Sequence, residues 1–220
     1  MQELAVIAGL LQPLGFSLDE RQPYLSGERY LMAGGKLVLA GTRDADGAKA
    51  IIKASRTADG KKEIQSEKQS RDLMRSLSFA DKKILLPEEL YFGTKDGCTF
   101  FITRFIPQEK VFAAHTTEEQ FFIALSAFEA QESFHATTFE HLRALKDTFP
   151  VLSSSEYLRE FRRLEQSILH LYQDETLKEA LKQTEKFLTD NVITIDRYAN
   201  YLTHTDFVPH NFRLNKNTVY

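Results

Sequence analysis

Cysteine is nearly absent from this chain: Cys98 stands alone among 220 residues, so no internal disulfide can form. That usage fits a reducing compartment. Long hydrophobic runs are also missing. Stretches such as Phe121 to Leu125 are far too short to span a bilayer. The opening Met-Gln-Glu-Leu has no basic stretch ahead of an apolar core, so no secretory signal is expected and the reading is cytoplasmic. Positive charge is not in excess. A formal net charge of −3 gives no electrostatic case for nucleic acid or an anionic membrane as partner. His115, His141 and His170 have no Cys or His at metal-ligand spacing, and there is no Gly-x-Ser-x-Gly elbow. Repeats and low-complexity tracts are lacking too. With 42% hydrophobic and 27% charged residues, the remainder is an ordinary globular composition, long enough for one large domain or two small lobes.

Periodicity organises the chain. Leu4, Ile7, Leu10, Leu11 and Leu14 sit at amphipathic-helix spacing. From Glu28 the pattern turns to strands. Arg29 to Ala33 and Leu37 to Ala40 flank the turn signal Gly34-Gly35, and Asp44 to Gly47 forms a second turn before Ala50 to Ala54. Lys61 to Leu77 reads as a charged helix. Strands follow near Glu89 to Gly93 and Thr99 to Ile106, the second apolar on both faces, with a turn at Lys95 to Gly97. After Pro107 the chain is helical. Thr116 to Glu119 and Ser153 to Glu156 fit capping boxes. Phe121, Leu125 and Phe128 are expected to form a buried helix face. Leu158, Phe161, Leu164, Ile168 and Leu171 form the next stripe, and Leu177, Leu181 and Leu188 a third. Short strand-like pieces close the chain near Phe212 to Leu214 and Thr218 to Tyr220.

One segment concentrates chemistry-bearing residues: His204, Asp206 and Asn211 in the pattern His-x-Asp-x-x-x-x-Asn. Such a match arises by chance in roughly one chain in a hundred of this length, so its context has to decide its meaning. Phosphoryl transfer from ATP needs positioning and charge neutralisation more than covalent chemistry. A lysine holds the phosphates, a helical carboxylate orients that lysine, an aspartate takes the acceptor's proton, and further polar groups hold metal. Asp206 fits the base, His204 a brace for the loop, and Asn211 a magnesium ligand. Upstream, Ala50-Ile-Ile-Lys53 resembles the Val-Ala-Ile-Lys strand of kinases. Alternation puts Ile51 and Lys53 on one face, Ile51 over adenine and Lys53 at the phosphates. Glu67 lies three residues after Ile64 and seven before Met74, on the helix stripe that faces the sheet. It is the best partner for Lys53, with Glu63, one turn away, as the alternative.

With His204, Asp206, Pro209 and Asn211 in the order His-x-Asp-x-x-Pro-x-Asn, the chain resembles the aminoglycoside phosphotransferase and choline kinase-like family. The family's loop usually has Gly where Thr205 stands. Ordinary protein kinases favour Arg there, so Thr205 argues for the small-molecule branch. The resemblance implies an α+β, protein kinase-like two-lobed fold. Residues 1–106 would be the N-lobe, a five-stranded antiparallel sheet with one helix that binds ATP. Residues 107–220 would be a mainly helical, incomplete C-lobe carrying the catalytic loop. Arg104 and Ile106 would bond adenine through their backbone, and Gly34 and Gly35 sit where the phosphate-covering loop belongs, without its usual glycine pattern. His135, in Glu132 to Ala136, resembles a Leu-His pair late in a family helix and reads as a packing or hydrogen-bonding residue, not a ligand. The expected activity is transfer of the ATP γ-phosphate, with Mg2+, to a small-molecule hydroxyl. The alternative is a nucleotide-binding module without catalysis. The resemblance also places a second metal-binding aspartate beyond Tyr220, which leads to the expectation of a C-terminal truncation with little activity of its own.

Overall fold

A computed structural model describes residues 2–20, 22, 35–77, 85–107, 110, 112–149, 152–199, 214–215 and 218–219, with backbone alone for 2–3, 133–140, 214–215 and 218–219. The expected strand at Arg29 to Ala33, together with Gly34, lies outside these residues. The chain divides into two compact units, residues 1–133 with 204–220, and residues 134–203.

The first unit is built on a five-stranded antiparallel sheet. Its strands are β1 (Phe16–Leu18), β2 (Leu37–Arg43), β3 (Lys49–Ser55), β4 (Glu89–Lys95) and β5 (Cys98–Arg104), in the order β1-β2-β3-β5-β4. Helix α1 (Gln2–Leu11) precedes it and α2 (Ala58–Ser76) is inserted between β3 and β4. This is the α+β arrangement of one antiparallel sheet with an inserted helix that the sequence pattern implies. The first strand, β1, is an addition. Its three residues are too few for alternation to register, and it is positioned by Gly15, whose left-handed backbone (φ 80°) ends the short 3-10 turn after α1. β4 and β5 meet at a two-residue turn in which Asp96 (φ 47°) and Gly97 (φ 76°) are both left-handed, the geometry that matches strand twist.

Residues directly opposite in an antiparallel pair share a face, so the register sorts the sheet. Leu37 and Leu39 lie opposite Ala54 and Ile52, and these opposite Phe100 and Ile102. That face is buried with Ile7 and Leu11 of α1 in one apolar core. The other face carries Val38, Lys53 and Phe101 across three strands, then Ala40, Ile51 and Thr103. Helix α2 packs here on β3 and β5, with Ile64 fully buried. β5 therefore has the apolar core on one face and α2 on the other, which explains why its side chains are buried from Cys98 to Thr103.

Helix α3 (Thr117–Thr148) begins in this unit and runs into the second, with a non-helical residue at His141. Its start is the expected capping box: the Glu119 amide donates to Thr116 Oγ1 (3.2 Å) and the Thr116 amide to Glu119 Oε2 (2.8 Å). The expected buried face needs correction. Phe121, Leu125 and Phe128 are 63%, 43% and 59% exposed, whereas Ala127, Ala130 and Gln131 are buried. The covered face is rotated by about one residue, some 100°. The cause is legible in retrospect. Phe121 to Leu125 is apolar without a break, so period alone cannot choose a face.

In the second unit, α4 (Ser154–Leu171), α5 (Glu175–Asp190) and α6 (Val192–Tyr198) follow in succession. The Ser153–Glu156 capping box opens α4 and Asp174 caps α5. The Asp196 carboxylate of α6 accepts from the amide (2.8 Å) and the hydroxyl (3.0 Å) of Ser154, placing negative charge at the positive end of α4. Leu164 and Leu171 of the expected α4 stripe are exposed, while Leu158, Phe161 and Ile168 are half-buried. Strands β6 (Leu214–Asn215) and β7 (Thr218–Val219), assigned to the first unit, form a small antiparallel pair. No helix among the described residues is long and apolar enough to cross a membrane.

Candidate functional site

The site forms where β3 faces α2. Thr57 ends the extended backbone and caps the helix, its Oγ1 accepting from the Gly60 amide at 3.1 Å. From there Gly60, Ile64, Glu67 and Arg71 fall at spacings of four, three and four, one face of a 3.6-residue helix turned to the sheet. Lys53 rises from β3 to meet that face. Its Nζ donates to both oxygens of Glu67, at 2.7 and 2.6 Å, and the two side chains are only 24% and 23% exposed. Glu63 does not share Lys53; it pairs with Lys36 (2.8 Å) at the start of β2. Helix phase separates the two glutamates, because Glu67 follows buried Ile64 by three residues and points at the strand, while Glu63 sits one turn earlier beside Lys36.

Electrostatics set the state of the pair. Burial pushes the Lys53 ammonium below its ordinary value, and the Glu67 charge opposes that fall. Burial would raise the Glu67 carboxyl, but the charges of Lys53 and Arg71 outweigh it and hold Glu67 below the usual carboxylate range. Glu67 is therefore ionised near neutrality, and its charge favours the ammonium form of Lys53. Three cations, Lys36, Lys53 and Arg71, face two anions, Glu63 and Glu67, and leave one positive charge in surplus. That surplus suits an anionic ligand.

A second cluster fixes the edge of the site. Gly35 has a left-handed backbone (φ 79°), and its carbonyl accepts from Ser55 Oγ (2.8 Å) and Thr57 Oγ1 (3.4 Å). Gly60 makes this possible: a Cβ there would stand 2.3 Å from Ser55 Oγ and 2.7 Å from the Gly35 oxygen. The approach to β2 is thus tied to the first turn of α2. Ile51 is half-buried on the Lys53 face, two residues along β3, and Val38 lies opposite Lys53 on the same face. At the end of β5 the Arg104 amide donates to the Glu88 carbonyl (2.8 Å) and its guanidinium to the Glu88 carboxylate (2.6 Å). Arg104 thus commits its backbone N–H to Glu88, so that N–H is not open to a ligand. Ile106, past the strand end, has no backbone hydrogen bond to another described residue.

Several expected site residues lie outside the described residues: His204, Asp206, Pro209 and Asn211 of the loop, Gly34, and the side chain of His135. Among the described residues no cluster of three or more His, Cys, Asp or Glu is placed to hold a metal ion. Sequence reasoning overlooked Arg71, the Lys36–Glu63 pair and the Ser55–Thr57–Gly60 cluster. Arg71 carried a usable signal, an arginine one helical turn after the chosen glutamate. The cluster carried none, since it depends on where Gly35 comes to rest.

The architecture and this pair define an α+β protein whose antiparallel sheet presents a half-buried lysine to a carboxylate of its inserted helix. No family model matches the chain, and no curated protein matches it. Among solved structures, it is similar to a spectinomycin phosphotransferase in complex with ADP and spectinomycin, at 16% identity and a TM-score of 0.47, covering 87% of this chain and 61% of that one. It is also similar to an aminoglycoside phosphotransferase from Alicyclobacillus acidocaldarius subsp. acidocaldarius DSM 446, at 14% identity and a TM-score of 0.37, covering 92% of this chain and 61% of that one. The chain thus spans about three-fifths of the length of the structures it matches.

Proposed function

We propose that this chain belongs to an ATP-dependent phosphotransferase that moves the γ-phosphate to a hydroxyl of a small molecule. The observation that carries the reading is the Lys53–Glu67 ion pair between β3 and the helix inserted after it. A lysine held by two hydrogen bonds to one carboxylate is fixed in place. With Lys36 and Arg71 nearby, the site keeps a net positive charge for a polyphosphate. The sequence motif supplies the rest, in the order that such chemistry requires.

In this reading residues 1–106 hold the nucleotide and residues 107–220 carry the catalytic loop. Lys53 binds phosphate oxygens and Glu67 orients it. Ile51 covers one side of the adenine, with Val38 beside it. The carbonyl of Arg104 and the backbone of Ile106 bond the adenine edge, and Gly34-Gly35 approaches the phosphates. Asp206 accepts the proton of the substrate hydroxyl, His204 braces the loop, and Asn211 contributes a ligand to Mg2+. The metal, when bound, neutralises charge on the transferring phosphoryl group. The soluble, cytoplasmic setting expected from composition suits such an enzyme.

The experiment is a turnover assay with Mg·ATP against a panel of hydroxyl compounds (aminoglycosides, amino alcohols, sugars), with Asp206→Asn alongside. The expected result is nucleotide binding by both forms and, wherever the native protein turns a substrate over, loss of that turnover by at least a hundredfold in the variant. Turnover at the native rate in Asp206→Asn would sink the assignment. Binding by both forms without turnover on any compound would favour the nucleotide-binding module without catalysis.

A further inference from the structure

The carboxylate of Glu67 has a second partner besides Lys53. Arg71, one turn further along α2, donates from Nε to Glu67 Oε1 at 3.1 Å. Its guanidinium lies over the ring of Phe101, 5.3 Å from the centroid. Phe101 sits directly opposite Lys53 in the β3–β5 register, so the ring that seats Arg71 belongs to the residue beside the lysine. The Arg71 side chain is only 18% exposed. Its Nη1 is buried and has no hydrogen-bond partner among the described residues, so the bond to Glu67 and the ring contact are what seat the guanidinium. A cation held over an aromatic face and hydrogen-bonded at Nε has little freedom to turn.

We propose that Arg71 is the positioning residue of this site. It clamps Glu67 between a stacked guanidinium and Lys53, so that the carboxylate cannot rotate away and Lys53 stays directed along the β3 face. The proposal deepens the phosphotransferase reading, and rests on it only where ATP is concerned.

A clamp and a bystander predict opposite signs at Lys53. The charged groups facing Lys53 among the described residues are Glu67, Arg71, Lys36 and Glu63. A bystander cation merely repels the ammonium, so its removal makes Lys53 easier to protonate. Loss of a clamp frees Glu67, and Lys53, stripped of its counter-charge in a mostly buried place, becomes harder to protonate.

The test uses the full chain as native protein, Arg71→Met and Arg71→Lys. Methionine keeps an apolar stem over Phe101 without charge, and lysine restores a cation within reach of Glu67. The rate of acetylation of Lys53 against pH, read by mass spectrometry of the peptide carrying it, gives the midpoint of its ionisation. The midpoint should fall by about one pH unit in Arg71→Met and stay near native in Arg71→Lys. A midpoint that rises or does not move in Arg71→Met overturns the proposal. In parallel, Arg71→Met should weaken Mg·ATP binding about tenfold and leave adenosine binding unchanged. Should ATP bind the native chain and Arg71→Met equally well, the clamp is refuted at the level of ligand. Failure of native protein to bind ATP at all counts against the phosphotransferase reading, and the Lys53 midpoint still decides the role of Arg71.

Discussion

At the scale of the residue, the site rests on how Glu67 is charged. Replacing it with glutamine leaves Lys53 and Arg71 without their shared anion in a place that is about three-quarters buried. Glu67→Gln should therefore cost about 1–3 kcal/mol at neutral pH, the upper values applying to fully buried pairs. The pH dependence has a definite sign. The folded protein holds the Glu67 carboxyl below its ordinary 4.5, so its contribution is fully present above pH 4.5 and is lost as the pH falls through the lower folded value. Denaturant titrations of native and Glu67→Gln protein should show a gap that is widest near neutrality and closes in acid. A gap that widens in acid would contradict the ionic pairing. Lys53 and Glu67 were legible as residues because strand alternation and helix phase are properties of the chain itself. Arg104 shows the limit: its place at the strand end could be read, but the commitment of its amide to Glu88 depends on a neighbouring segment that no local pattern announces.

At the scale of the element, α2 is held at both ends. Its first turn meets Gly35 through Ser55, Thr57 and Gly60. Towards its other end Lys68 and Arg75 both reach Glu89 of β4, at 3.4 and 3.0 Å, and the Lys68 ammonium lies 5.7 Å from the Phe92 ring centroid. Gly60 separates local preference from packing. Alanine in a helix is favoured over glycine by about 1 kcal/mol. Here its methyl group would collide with the Ser55 hydroxyl and the Gly35 carbonyl. Gly60→Ala is expected to destabilise by about 1–3 kcal/mol and to speed amide hydrogen exchange in the first turn of α2. Stabilisation by the substitution would show that the close approach is absent in solution. This also explains why the sequence reading started the helix at Lys61, three residues late. Thr57 has no glutamate three positions on to complete a capping box, and Gly60 reads as a helix breaker until the contact it permits is seen. The face of α3 failed for the opposite reason, an excess of apolar residues rather than a want of signal.

At the scale of the whole molecule, the sheet of the first unit has one face for stability and one that carries the proposed phosphate site. The stability face is the apolar core shared with α1, in which Leu11, Leu39, Ile52 and Ile102 are fully buried. Leu11→Ala removes most of a buried side chain and should cost about 2–5 kcal/mol, measured as a lower denaturation midpoint. It lies on the opposite side of the sheet from Lys53, so ligand binding by the folded fraction should be unaffected. Four of the five strands, β2 to β5, and the inserted helix could be read from alternation, turns and charge. The membership of β1 could not, because three residues carry no period and Phe16 is placed by pairing with Arg43, distant in sequence. The His204–Asp206–Asn211 pattern remains an expectation from sequence alone, and the Lys53–Glu67 pair is the contribution of the fold. The two meet in a single claim, that the Lys53 face of the sheet takes the phosphates of ATP. Calorimetric titration of Mg·ATP and of adenosine into native and Lys53→Met protein tests that claim most directly. Native protein is expected to bind Mg·ATP, Lys53→Met to weaken this at least tenfold, and adenosine to bind both alike. Equal affinity of the two proteins for Mg·ATP, or no binding by the native chain, would contradict it.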